Sequence, residues 1–236
     1  FQVSFLGYTD PSVSATNQLF NVVAIPSGVY RYWREGRMVW PLTWAVIAGT
    51  LPGVFIGAIV RVAWLPDPDH FKLFAAAVLL YIGLKMAREL LKTPSGSDRS
   101  MRSPGSSAKT PQTGGGGSSP VVRVTHFTLK RLGYTFNDEV FDVSLWGILL
   151  LSFVVGIVGG IYGIGGGAII APFLVTFFGL PVYTVAGAAL MGTFVTSVAG
   201  VGFYQAIAPL YPNMSVAPDW LLGVLFGLGG MVGVYL

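Results

Sequence analysis

Residues 159–174 read GGIYGIGGGAIIAPFL, with four glycines between Gly163 and Gly167. In a soluble α/β domain such a cluster would cradle a phosphate. A dinucleotide fingerprint, however, needs G-x-G-x-x-G after a strand and an acid about 20 residues on. GIGGG lacks that spacing, and Tyr183 and Thr184 stand where the acid belongs. A Walker-type loop needs a Lys, and no Lys or Arg follows Arg131. The glycines sit instead in an uncharged run from 144 to 179.

Working outward, the composition is that of a membrane protein. The chain is 53% hydrophobic and 10% charged, with a mean hydropathy of +0.68, where soluble domains carry about 25% charge. Apolar runs able to cross a bilayer, about 20 residues each, lie near 14–32, 38–60, 71–90, 144–179, 184–205 and 217–236. The absence of cysteine removes disulfides, thiolate ligands and thiol nucleophiles. His70 and His126 lie far apart and outside the apolar runs, so no histidine metal centre or other cofactor site is expected. The turn with Asp67, Asp69 and His70 reads as exposed rather than metal-binding. Intramembrane hydrolysis would need an activated Ser with His, or paired Asp residues within spans, and neither is present, so the chain does not read as an enzyme.

Residues 93–120 are Gly, Ser and Pro with scattered charge and read as a disordered linker. Residues 121–142 alternate apolar and polar side chains and read as a β-hairpin on the membrane surface. All fourteen Lys and Arg residues lie at or before Arg131, three of them in RYWREGR (31–37), Arg61 and Lys72 after the second run, and nine from Lys85 to Arg131. The positive-inside rule places 31–37 and 91–143 in the cytoplasm and RVAWLPDPDHFK (61–72) outside, as in a multi-pass protein of the cell inner membrane.

The chain also repeats itself. A shift of 172 aligns Phe1, Val3, Phe5, Gly7, Val13, Val23, Gly28, Val29 and Tyr32 with identical residues, and a shift of 176 pairs Gly53 and Gly57 with Gly229 and Gly233. On this register the first copy of the glycine motif precedes Phe1, and the partner of 71–90 follows Leu236, so the sequence reads as a fragment. The expected fold is an all-α polytopic membrane protein with two parallel four-segment repeats, a discontinuous glycine-rich helix opening each, and a small cytoplasmic β-hairpin between them. The divisions are 1–92, the linker 93–120, the hairpin 121–142 and 143–236. An even number of spans per repeat makes the copies parallel, about an axis along the membrane normal.

Glycine frees the backbone, and non-helical backbone at membrane depth survives only where it is buried or lines a cavity. The run 144–179 therefore reads as a helix broken at Gly163, Gly165, Gly166 and Gly167. Its second part, starting near Gly167 or Ala168, aims free N–H groups and a positive dipole end at a small anion. Close helix packing is the alternative use of glycine, and it suits Gly49, Gly53, Gly57, Gly156 and Gly160 at spacing four. Ser14, Asn17, Gln18 and Asn21 share one helix face, and Thr193, Thr196 and Ser197 form a lighter stripe. Such groups mark a site or bond between helices, and Thr and Ser also bond back to their own helix. Asp10 reads as a helix cap.

GIYGIGGGAIIAPFL, GLPVYTVAGAALMGTFVTSVAG and SATNQLFNVVAIPSGVYRYWREGRMVW together resemble the TauE/SafE family of membrane transporters. The resemblance implies two repeats, each opened by GxGGGxxxxP, and a substrate that is a small sulfur-containing or organic anion such as sulfite, a sulfonate or sulfoacetate. It carries the glycine motif onto Gly163, Gly165, Gly166 and Gly167, with its proline at Pro172. The family's Thr-Ser pair falls on Thr16 and Asn17 in the first copy but on Ala188 and Ala189 in the second, which argues against symmetric sites. The resulting expectation is a small-anion permease whose site draws on the four glycines, Thr16, Asn17, Asn21, Thr193, Thr196 and Ser197. Its partners are the lipid bilayer and the anion, with no nucleic acid and no stated oligomeric state. A permease for a different organic anion, or a non-transporting assembly subunit, are the alternatives.

Overall fold

The computed structural model describes residues 10–65, 67–92, 123–127, 131–136 and 139–235. The chain falls into two compact units, one drawn from residues 1–68 and 120–236 and one from 69–119. The linker 93–120 lies outside the described residues. Helix α4 (Pro68–Lys92) represents the second unit, and its Lys72 pairs with Asp69 at 3.3 Å.

The first unit is a helical bundle. It comprises α1 (Ser12–Ala24), α2 (Pro26–Arg34), α3 (Trp40–Ala63), α5 (Leu145–Tyr162), α6 (Gly166–Phe178), α7 (Val182–Ile207) and α8 (Trp220–Tyr235). Among the described residues, α3, α5 and the stretch Val182–Leu210 are long and apolar enough to cross a membrane, and α6 and α8 are shorter apolar helices. The 24 residues of α3 span about 36 Å, against about 30 Å of hydrocarbon. Every tryptophan is exposed: Trp33, Trp40, Trp44 and Trp146 lie towards one end of the bundle, Trp64 and Trp220 towards the other. Two such aromatic belts are where amphipathic rings meet the two membrane–water interfaces.

The apolar run 14–32 is not one helix. Pro26, lacking an N–H, opens α2 after a break at Ile25, and α2 buries none of its residues. The run 144–179 divides more sharply. Gly163, at φ 75°, closes α5 in the left-handed conformation, and Gly165, at φ 75° and ψ 143°, precedes α6. Only glycine takes both positions without strain, and together they reverse the chain. A Cβ on Gly147, near the start of α5, would touch Phe178 at the end of α6 (3.0 Å), and one on Gly159 would touch Gly166 (2.8 Å). Residues 145–178 are thus a helical hairpin with its tip at 163–165, where an in-line break was expected, and α6 begins at Gly166.

That reversal corrects the parallel repeat. Along α1 and α2, Gln18, Asn21 and Tyr32 meet Gly200, Ser197 and Gly187 of α7, so these segments, matched by the 172-residue shift, run antiparallel. Helix α3 runs with α7, Val46 meeting Gly192 and Phe55 meeting Phe203 at 5.0 Å between ring centroids. Helix α8 runs with α1, Leu19 meeting Gly223 and Val23 meeting Gly227. The matched segments therefore point in opposite directions. A hairpin enters and leaves on one side, so this element contributes no net crossing.

In place of a two-stranded hairpin, three strands form an antiparallel sheet in the order β1 (Arg123–Phe127), β2 (Arg131–Phe136), β3 (Glu139–Ser144). Two apolar clusters hold the bundle. One joins Val39, Leu42 and Val46 to Val143, Ile148, Leu174 and Val185 at the sheet end. The other joins Ala15, Ala58, Val62, Tyr204 and Val216 at the opposite end.

Between α3 and α5 the small residues interlock. A Cβ on Gly156 would lie 2.5 Å from the Thr50 carbonyl oxygen, and one on Gly160 would lie 2.5 Å from that of Val54. Backbone cannot yield as a side-chain tip can. Gly156→Ala is therefore expected to cost about 1–3 kcal/mol through overpacking, read as a lowered unfolding midpoint in detergent. Gly202→Ala, with open space around it, should leave the midpoint in place.

Candidate functional site

Helix α5 ends inside the bundle, where its last carbonyls have no water to bond. The Gly159 oxygen accepts from the N–H groups of Gly163 and Ile164. The Tyr204 phenol donates to Gly160 O at 3.2 Å, and the Ser14 hydroxyl donates to Ile161 O at 2.8 Å. The amides of Asn17 and Asn21 donate to Tyr162 O at 3.5 Å and Ile164 O at 2.8 Å. The polar face of α1 thus closes the negative end of α5, carbonyl by carbonyl.

The start of α6 is treated differently. Its N-cap is Gly165, which has no side chain to cap with, so no N-cap side chain meets the first-turn N–H groups at the positive end of the dipole. Gly165 lies beside Thr193 and Ser197 of α7, a Cβ there reaching Ser197 Oγ at 3.0 Å. Asn21 also donates to Ser197 Oγ at 3.3 Å. Gly167 abuts Ala189 and Thr193, and Gly166 abuts Thr50. Thr193 and Ser197 flank the midpoint of α7. One end of the hairpin tip is saturated with donors, while the other presents donors of its own.

Of the expected site residues, Gly163, Gly165, Gly166, Gly167, Asn17, Asn21, Thr193 and Ser197 gather at this tip. Thr196 is buried and bonds back to Gly192 O at 2.7 Å, the ordinary arrangement of a helical Thr. Thr193 likewise donates to Ala189 O at 2.8 Å, while lining Gly165 and Gly167. Thr16 is elsewhere. Its hydroxyl donates to Ser12 O at 2.7 Å and accepts from Asp219 N at 2.9 Å, tying α1 to the start of α8. Asp10 places no side-chain cap on α1, whereas Asp219 caps α8 by accepting from Leu222 N at 2.9 Å.

Sequence reasoning missed Arg61. Counted there with the charges that follow the second run, it is fully buried in the last turn of α3, where it donates to Leu65 O and adjoins Tyr204. The one available signal was its place inside the apolar register GAIVRVAW. Tyr204, whose phenol closes Gly160 O, carries no signal in the sequence beyond matching Tyr32 under the 172-residue shift.

Removing the Asn21 amide leaves the Ile164 carbonyl unsatisfied, so Asn21→Ala is expected to lower stability by about 1–3 kcal/mol, measured by denaturation in detergent. A double-mutant cycle with Ser197→Ala should show coupling of about 0.5 kcal/mol or more, since the two side chains touch.

A family model described as Sulfite exporter TauE/SafE matches residues 1–236, the whole chain. No curated protein and no solved structure matches it.

Proposed function

The chain belongs to the sulfite exporter TauE/SafE family of membrane transporters, and from that we propose that it carries a small sulfur-containing anion, such as sulfite, a sulfonate or a sulfoacetate-like molecule, across the cell inner membrane. The observation that carries this reading is the uncapped start of α6 at Gly165, faced by Asn21, Thr193 and Ser197. Helix N-termini of this kind hold anions with backbone N–H groups and a dipole end. Saturation of the neighbouring α5 carbonyls leaves little negative potential to oppose the ligand.

The two halves of the chain are an inverted repeat about an axis in the membrane plane. Its support is reciprocal packing: α1 lies along α8, α3 lies along α7, and α1 with α2 crosses α7 antiparallel. A two-fold axis between halves generates that pattern. Asn21 and Thr193 are equivalent under the shift (21 + 172 = 193), and both reach the Gly165 tip. Broken helices at the interface of inverted repeats are where transporters commonly bind, and rocking of one half against the other exposes such a site to each side in turn. By the positive-inside rule the end of the bundle holding Arg31, Arg34 and Arg37 is cytoplasmic, and the basic 91–143 segment is assigned to the cytoplasm on its own charge. In support, Arg37 lies 5.5 Å over the Tyr183 ring, and Val39 packs in one cluster with Val143.

Asn21→Asp puts a negative charge beside Gly165. It is expected to abolish sulfite uptake or efflux in proteoliposomes of the full-length protein, while Asn21→Ala retains part of it; wild-type flux in Asn21→Asp would exclude an anion at the α6 start. Sidedness has its own check. The chain has no cysteine, so Gly36→Cys and Asn213→Cys should each react with a membrane-impermeant maleimide from one face only, and from opposite faces.

A further inference from the structure

We propose that Gln18 contacts the substrate directly and that the site takes an oxyanion retaining one proton. This rests on the reading of the α6 start as the anion site. Ser14, Asn17 and Asn21 share the α1 face with Gln18, and each donates to a carbonyl of the turn, at Ile161, Tyr162 and Ile164. Gln18 sits among them, fully buried at 0% exposure, and neither its Nε2 nor its Oε1 has a hydrogen-bond partner. Its amide lies against Gly200 of α7, three residues beyond Ser197, where any Cβ would overlap it. Gly200 is thus the space into which the amide fits. The equivalent residue in the other half is Leu190 (18 + 172 = 190), so this amide has no twin.

Buried polar groups are almost always paired, so an amide with both its N–H and its C=O spare is held for something polar that arrives. Which way the amide is turned does not matter, because both atoms are unpaired. A bare anion satisfies only the N–H and repels the carbonyl oxygen. A monoanion of the form X–OH satisfies both, accepting from Gln18 Nε2–H through one oxygen and donating its O–H to Gln18 Oε1. The α6 N–H groups then hold its remaining oxygens. The chemistry named is that of hydrogen sulfite and similar singly protonated oxyanions. A sulfonate, having no O–H at neutral pH, leaves the carbonyl unmet.

The test is calorimetric binding of sulfite and of methanesulfonate to the purified full-length protein at pH 6 and pH 8. Sulfite loses its last proton between those values, and methanesulfonate has none to lose. Wild type is expected to bind sulfite more tightly at pH 6, and methanesulfonate with no pH dependence. Gln18→Met is expected to weaken sulfite binding at pH 6 about tenfold or more, as the loss of two buried hydrogen bonds implies, and to flatten the pH profile. Gly200→Ala should do the same with Gln18 itself retained, since its methyl displaces the flexible end of that side chain, and it serves where Gln18→Met does not fold. Unchanged affinity and pH profile in a folded Gln18→Met or Gly200→Ala would overturn the inference and leave the α6 site standing. Equal sulfite affinity at both pH values in wild type would overturn the protonated ligand. Failure of wild type to bind either anion would remove the α6 site, and the inference with it.

Discussion

A helix that ends inside a membrane must find donors for its last carbonyls, because no water or lipid will supply them. Helix α5 ends that way at Gly163, and the rest of the structure follows from how its oxygens are met. The backbone of the reversing turn closes one, Tyr204 another, and Ser14 and Asn17 of α1 close two more, while Asn21 on the same face meets Ile164 O in the turn. This ties α1, from the far end of the sequence, to the hairpin tip. It also gives the polar stripe of α1 a structural duty that does not depend on any ligand.

The same reversal makes the two ends at the tip unequal. The negative end of α5 is saturated by side chains, and the positive end of α6 opens with a glycine that has none to offer. A compact region of positive potential results without a cation in contact with it, which suits a protein whose second half carries no Lys or Arg beyond Arg131. By returning the chain to the side it came from, the hairpin also makes no net crossing of its own. The segments matched by the 172-residue shift, α1–α2 and α7, pack against each other antiparallel.

Much of the tip was readable from residue order. The glycine cluster in an uncharged run announced a break, the spacing of Ser14, Asn17, Gln18 and Asn21 announced one polar face, and Gly49, Gly53, Gly57, Gly156 and Gly160 announced close packing. Each is a local property of spacing and conformational freedom. Less was readable where a group's role depends on what faces it. Thr16 and Asn21 look alike as polar residues of one helix, yet one anchors α8 and the other meets the turn. Thr196 and Ser197 are neighbours, yet one bonds to its own helix and the other reaches Asn21. Arg61, at the edge of an apolar run, gives no sign in the sequence of which side its neighbours lie.

That this is a membrane protein, that its 144–179 segment breaks at the glycines, and that matching residues recur at a shift of 172 could be read from residue order, because composition, backbone freedom and periodicity are carried by the residues alone. That the break is a reversal, that α1–α2 and α7 run antiparallel, and that α1 closes one end of the tip emerge only once the chain is folded. Glycine permits a range of backbone directions, and which one the chain takes is chosen by the carbonyls, side chains and helices that meet it in space.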